Sequence, residues 1–192
     1  MKPNKKDGAQ LAREYATIDY LTSAGMHSVH IQDLTKVNSA RLQSRRLQLN
    51  RQGLRKSSAG GGKTSARSTI TNTLQVLEHT IVLKLYAAAA GCNSENKKDP
   101  SVFSPTPETV VRVYRQYLDF VSSVPAFYPL FSKYKRKLFN VDKVYMLIRE
   151  YALAQSRMTT CGQCKSDYAS HPDQSVSDMM CPFCKLENIS FA

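Results

Sequence analysis

The chain has 192 residues, and its 27 Lys and Arg against 15 Asp and Glu give a formal net charge of +12. A hydrophobic content of 42% supports the core of one medium domain, or of a domain with a small appendage. No apolar run approaches the roughly 18 residues that a membrane-spanning helix needs, and the charged opening Met1–Asp7 has no apolar segment behind it, so no signal peptide is expected there.

The charge is unevenly spread. From Leu34 to Leu77 there is no acidic residue, while the same window holds nine basic ones: Lys36, Arg41, Arg45, Arg46, Arg51, Arg55, Lys56, Lys63 and Arg67. A block of one sign repels itself unless something anionic neutralises it. Nucleic acid is the first candidate, and a membrane surface the second.

In chain order, Leu11, Tyr15, Ile18 and Leu21 recur at helical spacing, with Gly25 as the C-terminal cap, and mark a first helix with no chemistry of its own. A short second helix is expected from about Val29 to Lys36, with Ile31 and Leu34 inward. Val37-Asn38-Ser39 reads as a turn with an N-cap, followed by a helix from about Ala40 to Gln52, closed by Gly53. In that helix Leu42, Leu47 and Leu49 supply apolar contacts, and Arg41, Arg45, Arg46 and Arg51 populate the exposed faces. Short helix, tight turn and Arg-rich helix make the outline of a helix-turn-helix-like segment. Its second helix would place Ser39, Arg41, Gln43 and Ser44 against base edges, since Arg pairs well with guanine and Gln with adenine. A merely solvated arginine face is the alternative.

Residues 56–67 (KSSAGGGKTSAR) form a basic glycine loop. Gly62-Lys63-Thr64 looks like the end of a phosphate-binding loop, but Ser57 stands where that pattern needs Gly, and no apolar strand precedes it. Its amides, with Lys56, Lys63, Thr64 and Arg67, would instead contact duplex phosphates without reading sequence; an unbound loop is the other reading. From Ser68, Ile70, Leu74, Leu77, Ile81, Leu85 and Ala88 mark a core helix ending at Gly91, with His79 exposed or hydrogen-bonded on it. Thr106-Pro107-Glu108 opens another helix with an N-cap, a proline in the first turn and an acid beside it, carrying Val110, Val113, Tyr114, Tyr117, Leu118 and Val121. Residues 133–137 (KYKRK) add a second basic cluster. Val144, Leu147, Ile148 and Tyr151 mark a helix running to about Ser156, directly before the cysteines, so that helix and metal module are expected to pack as one unit.

The most specific motif is Cys161-Gly-Gln-Cys164, sixteen residues, then Cys181-Pro-Phe-Cys184. Two Cys-x-x-Cys pairs so spaced fit a zinc site, because each pair brings two thiolates to one ion from a tight turn. Four thiolates leave no open coordination position, so one structural Zn2+ per chain is expected, with Gly162 and Pro182 in the turns and Tyr168 and Phe183 as apolar cover. Two disulfides or an iron–sulfur cluster are the competing uses of four cysteines. His171, between the pairs, reads as surface loop.

The order of parts resembles the FlhC-type subunits of the flagellar master regulator family, and is closer to the AcaC/SetC-type activators of conjugative elements. The likeness covers about Leu11 to Asn188. It rests on Leu42–Gly53 (LQSRRLQLNRQG), on Val110–Leu118 (VVRVYRQYL), and on the helix at Val144–Arg157 leading into the cysteine quartet. The chain departs from the flagellar subunit in its Gly-Lys-Thr-Ser loop and in a longer proline segment around Tyr128. The resemblance implies a cytoplasmic, nucleoid-associated bacterial activator that binds double-stranded DNA with an FlhD-like partner subunit and recruits RNA polymerase, with zinc on Cys161, Cys164, Cys181 and Cys184. An RNA-binding zinc-ribbon module is the alternative, opposed by a basic window without aromatic residues. Paired carboxylates, an activated nucleophile or an open metal site are not evident, so an enzyme is not expected. The expectation is a mainly α-helical protein: a DNA-binding and oligomerisation domain over residues 1–157, with its basic window at 34–77, and a zinc-binding ribbon over residues 158–192.

Overall fold

The computed structural model describes residues 7–54, 73–91, 104–124, 138–171 and 181–187. Its helices are α1 (Gly8–Ser23), α2 (Ser28–Thr35), α3 (Ser39–Arg51), α4 (Thr73–Ala89), α5 (Pro107–Ser123), α6 (Val141–Ala152) and α7 (Pro182–Glu187). Between α6 and α7 lies a hairpin of β1 (Arg157–Thr160) and β2 (Asp167–Ser170). The protein is mainly helical, with four closely spaced cysteines near its C-terminal end.

Local sequence explains where the helices start and stop. Asp7, Asn38, Thr106 and Asn140 each accept a backbone N–H from three residues on, capping α1, α3, α5 and α6. Pro107 occupies the first turn of α5, where its missing N–H costs nothing. Gly25, at φ 88°, and Gly53, at φ 67°, take the left-handed turns after α1 and α3. Lys36, at φ 57°, does the same after α2, and the three-residue turn Lys36–Asn38 leads into α3.

Helix α4 is the centre of the packing: it lies against α5, α6, β2 and α7. Val82, Leu83 and Tyr86 of α4 are fully buried with Val110, Val113 and Tyr117 of α5 and Val144, Leu147 and Ile148 of α6. The side expected to face inward differs in part. Leu74 and Leu77 are buried, but Ile81 and Leu85 are half-buried and Ala88 is exposed. A helix with neighbours on several sides has no single apolar stripe. Polar groups are buried there as well. Glu78 is 0% exposed and accepts the Tyr117 hydroxyl at 2.5 Å; that hydroxyl accepts the Phe139 N–H at 3.1 Å. His79, expected to be exposed or hydrogen-bonded, is 3% exposed, and its Nε2 has no hydrogen-bond partner among the described residues.

Helices α1, α2 and α3 pack on one another, and α1 also packs on α5. Long-range polar contacts hold α2 against α6. Asp142 accepts both the His27 N–H and His30 Nδ1 at 2.8 Å, and the Tyr145 hydroxyl donates to Asp33 at 2.6 Å. Leu42 and Leu49 of α3 are buried as expected, whereas Leu47, expected to pack, is 52% exposed.

Helix α6, expected to run to about Ser156, also differs. It stops at Ala152, Ala154 takes φ 56°, and β1 starts at Arg157. The hairpin and α7 pack on α4. Thr80 of α4 accepts the Ala169 N–H at 2.9 Å, and Ala169 belongs to the main core. The cysteine-bearing segment is thus docked chiefly on the central helix, and Ala169, Met158 and Phe183 join the core cluster that also holds Ile148 and Tyr151 of α6.

Candidate metal centre and basic helix

The first cysteine pair is built on the hairpin. Arg157 pairs with Ser170 and Thr160 with Asp167, so residues 161–166 are its turn. Within it, the Cys161 N–H donates to the Ser166 carbonyl at 2.9 Å and the Lys165 N–H to the Cys161 carbonyl at 3.1 Å. The left-handed position falls on Lys165, at φ 61°, and not on Gly162. In the second pair, Pro182 opens α7 and the Lys185 N–H donates to the Cys181 carbonyl at 3.1 Å. Two local turns therefore fix four sulfurs.

These four Sγ atoms lie within 4.8 Å of one another. The Sγ atoms of Cys161 and Cys184 are 3.8 Å apart and those of Cys164 and Cys181 3.6 Å apart, and among the described residues no disulfide joins them. A tetrahedral ion with metal–sulfur bonds of about 2.3 Å requires sulfurs about 3.8 Å apart, so the donor set is fit to hold a metal ion and consistent with zinc. Tyr168, 7% exposed, and Val76 of α4 pack with Cys161 and Cys181, while Phe183 touches both this small cluster and the main core. Tyr168 and Phe183 thus supply the expected apolar cover.

The backbone favours thiolate at the first pair. N–H groups of Cys164 and Gln163 lower the Cys161 thiol, and the Ser166 N–H and hydroxyl bring Cys164 down to about 6. In the second pair, burial raises Cys181, and the neighbouring Cys164 sulfur, with burial, pushes Cys184 up to about 12. Electron-rich sulfurs so close together cannot all ionise unless a cation sits between them. His171 is half-buried beyond β2 and is not a member of the cluster.

The expected DNA-facing residues are sorted by the fold. Ser39 opens α3 and is exposed, as are Arg41, Gln43, Ser44 and Arg51. Arg45 and Arg46, expected on exposed faces, are half-buried. The Arg45 guanidinium is paired with both carboxylate oxygens of Asp19 on α1, at 2.9 Å from Nε to Oδ1, and it lies 5.3 Å over the Tyr15 ring. The Asp19 contact raises its already high pKa further. Arg41 lies over the same ring at 4.9 Å. On another side of α3, Ser39, Leu42, Gln43, Arg46, Leu47 and Asn50 line a groove of about 290 Å³ together with Ser28 and Gln32 of α2. Arg55, Lys56, Lys63, Thr64, Arg67, Lys133–Lys137 and Cys92 lie outside the described residues.

Sequence reasoning missed Ser28 and Gln32 as neighbours of the basic helix. It also missed the clamps that set α2 and α3: Asp142 with His27 and His30, Asp33 with Tyr145 and Arg149, and Asp19 with Arg45. Tyr145 and Arg149, with Lys36, hold the Asp33 carboxyl below its ordinary range. Capping signals marked the starts of α3 and α5, but nothing in the sequence announced pairs separated by 112 residues.

No protein-family model matches the chain, and a search of curated proteins finds no match. Among the described residues, no helix is long and apolar enough to cross a membrane.

Proposed function

We propose that this chain is a sequence-specific, double-stranded DNA-binding subunit of a transcription activator, stapled by one structural zinc ion on Cys161, Cys164, Cys181 and Cys184. The observation that carries the reading is the basic helix: α3, capped by Asn38 and following α2 after a three-residue turn, lies in a stretch with nine basic residues and no acidic one. Acids next to it are already engaged, Asp19 by Arg45 and Asp33 by Lys36 and Arg149. The exposed surface of α3 is therefore suited to a polyanion.

On this reading electrostatic capture precedes recognition. Exposed arginines of α3, with Arg55, Lys56, Lys63 and Arg67 of the following sequence, displace counterions from duplex phosphates, so affinity falls with salt by a slope of roughly −0.9 per neutralised phosphate. Zinc contributes no chemistry; it closes the two cysteine turns against α4 and thereby holds the core on which α1–α3 rest. The resemblance to FlhC-type subunits supports the rest of the proposal: a cytoplasmic, nucleoid-associated protein that acts with an FlhD-like partner to recruit RNA polymerase, at operons for conjugative transfer or of flagellar type.

Fluorescence anisotropy with random duplex DNA, single-stranded DNA and single-stranded RNA tests it, using the chain alone and with the partner from its own operon. Duplex preference that weakens steeply with salt is expected. Tighter binding to single-stranded RNA would replace this reading with an RNA-binding zinc ribbon, and no binding by either preparation would remove both.

A further inference from the structure

We infer that α3 reads A·T base pairs through a face of amide and leucine side chains, while Arg41, on the opposite side, serves the phosphate backbone. This rests on the DNA-binding reading above and sharpens it.

The geometry of a helix separates the two sets. Each residue turns the helix by about 100°, so Arg41 and Gln43, two positions apart, project to nearly opposite sides of α3. Arg41 and Arg45 belong to the side that meets α1, where both lie over the Tyr15 ring, at 4.9 and 5.3 Å. Arg45 is further held by Asp19, which fixes its direction. Neither can lie in the same base edge as Gln43.

The other side has different chemistry. Ser39, Gln43, Leu47 and Asn50 follow one another at spacings of three and four, and with Gln32 of α2 they line the groove of about 290 Å³. Gln43 and Asn50 are exposed, and Leu47 keeps 52% of its surface in solvent. A primary amide makes paired hydrogen bonds to N6 and N7 of adenine, and an apolar side chain packs on the thymine methyl. The combination suits A·T pairs. Guanine is selected by a cation that reaches O6 and N7, and among the described residues the cation lining this groove is Arg46, which is half-buried. The occupant is the major-groove edge of a duplex, because the one charged side chain among those lining the groove is a cation, Arg46, and α3 lies in a stretch from 34 to 77 with nine positive residues and no negative one.

The test is selection of bound duplexes from a random library by the full chain with its operon partner, followed by replacement of thymine with uracil in the selected site. Uracil lacks only the 5-methyl group. Expected are A·T pairs at the core of the selected site, and weaker wild-type binding at one or more uracil positions. Leu47→Ala should be insensitive to that replacement. Gln43→Ala should lose preference at one A·T step by about tenfold, whereas Arg41→Ala should weaken all duplexes alike. All three positions are exposed, so unchanged melting of the variants serves as the folding control. A selected core of G·C pairs whose preference is lost in Arg41→Ala, or a wild-type protein indifferent to uracil, would overturn the inference and leave the DNA-binding reading standing. Failure to select any duplex would remove both.

Discussion

Helix α4 buries nine of its 17 residues, three of them polar, whereas α3 buries two of 13. The first is surrounded by α5, α6, the hairpin and α7, and even its carboxylate and imidazole are enclosed. The second buries only Leu42 and Leu49 and presents its other faces outward or to α1 and α2 side chains, among them Asp19, which holds Arg45. A helix anchored by two leucines is free to carry charge that a core helix cannot. On the proposed reading, the contrast gives stability to α4 and the cysteine-bearing segment docked on it, and recognition to α3.

The sharpest way to break that assignment is at the metal. Cys181→Ser should abolish stoichiometric metal binding and cost several kcal/mol of stability, because metal affinity is folding energy here. Metal analysis and thermal melting check it; retention of one ion with an unchanged melt would contradict the site. Next in size is α4 itself. Leu83→Ala removes a side chain with 0% exposure and should destabilise by about 3 kcal/mol in urea unfolding. A loss below about 1 kcal/mol would mean that α4 is not the centre of the core.

His79 sharpens the comparison through pH. Burial, with Lys143 and His171 nearby, lowers its pKa from 6.5 to about 3. As pH falls below 6.5 the unfolded chain takes up a proton that the folded chain refuses, so stability present above that pH is progressively lost until about pH 3. Between pH 7 and pH 5 this amounts to about 2 kcal/mol. His79→Phe should remove that part of the slope, and identical acid profiles for the two proteins would show that His79 is not the group responsible. The smallest effect is at α3. Asn38→Ala deletes its cap and should cost about 1 kcal/mol, read by the same unfolding experiment.

Legibility in the sequence followed the range of the interactions. The cysteine quartet could be read because each turn is made within four residues and the donor chemistry admits few uses. Capping residues Asn38 and Thr106 likewise act over three residues, and the starts of α3 and α5 followed from them; the Asn140 cap of α6 went unread. The inward side of α4 was only half legible, since periodicity assumes one buried stripe and α4 has several neighbours. Directions on α3 were not legible. Arg45 and Gln43 look equally available until Asp19 and Tyr15 of α1, and Gln32 of α2, are placed beside them. The docking of the hairpin on α4 through Thr80 and Ala169, 89 residues apart, left no local trace either.

The most direct test of the division between α4 and α3 is amide hydrogen exchange, read by mass spectrometry with and without a bound duplex. In the free protein, α4 and α6 should exchange slowest and α3 faster, because protection follows burial. Added duplex should slow residues 28–54 and leave α4 unchanged. Protection by DNA confined to the cysteine hairpin, or an α3 as protected as α4 in the free protein, would contradict the account.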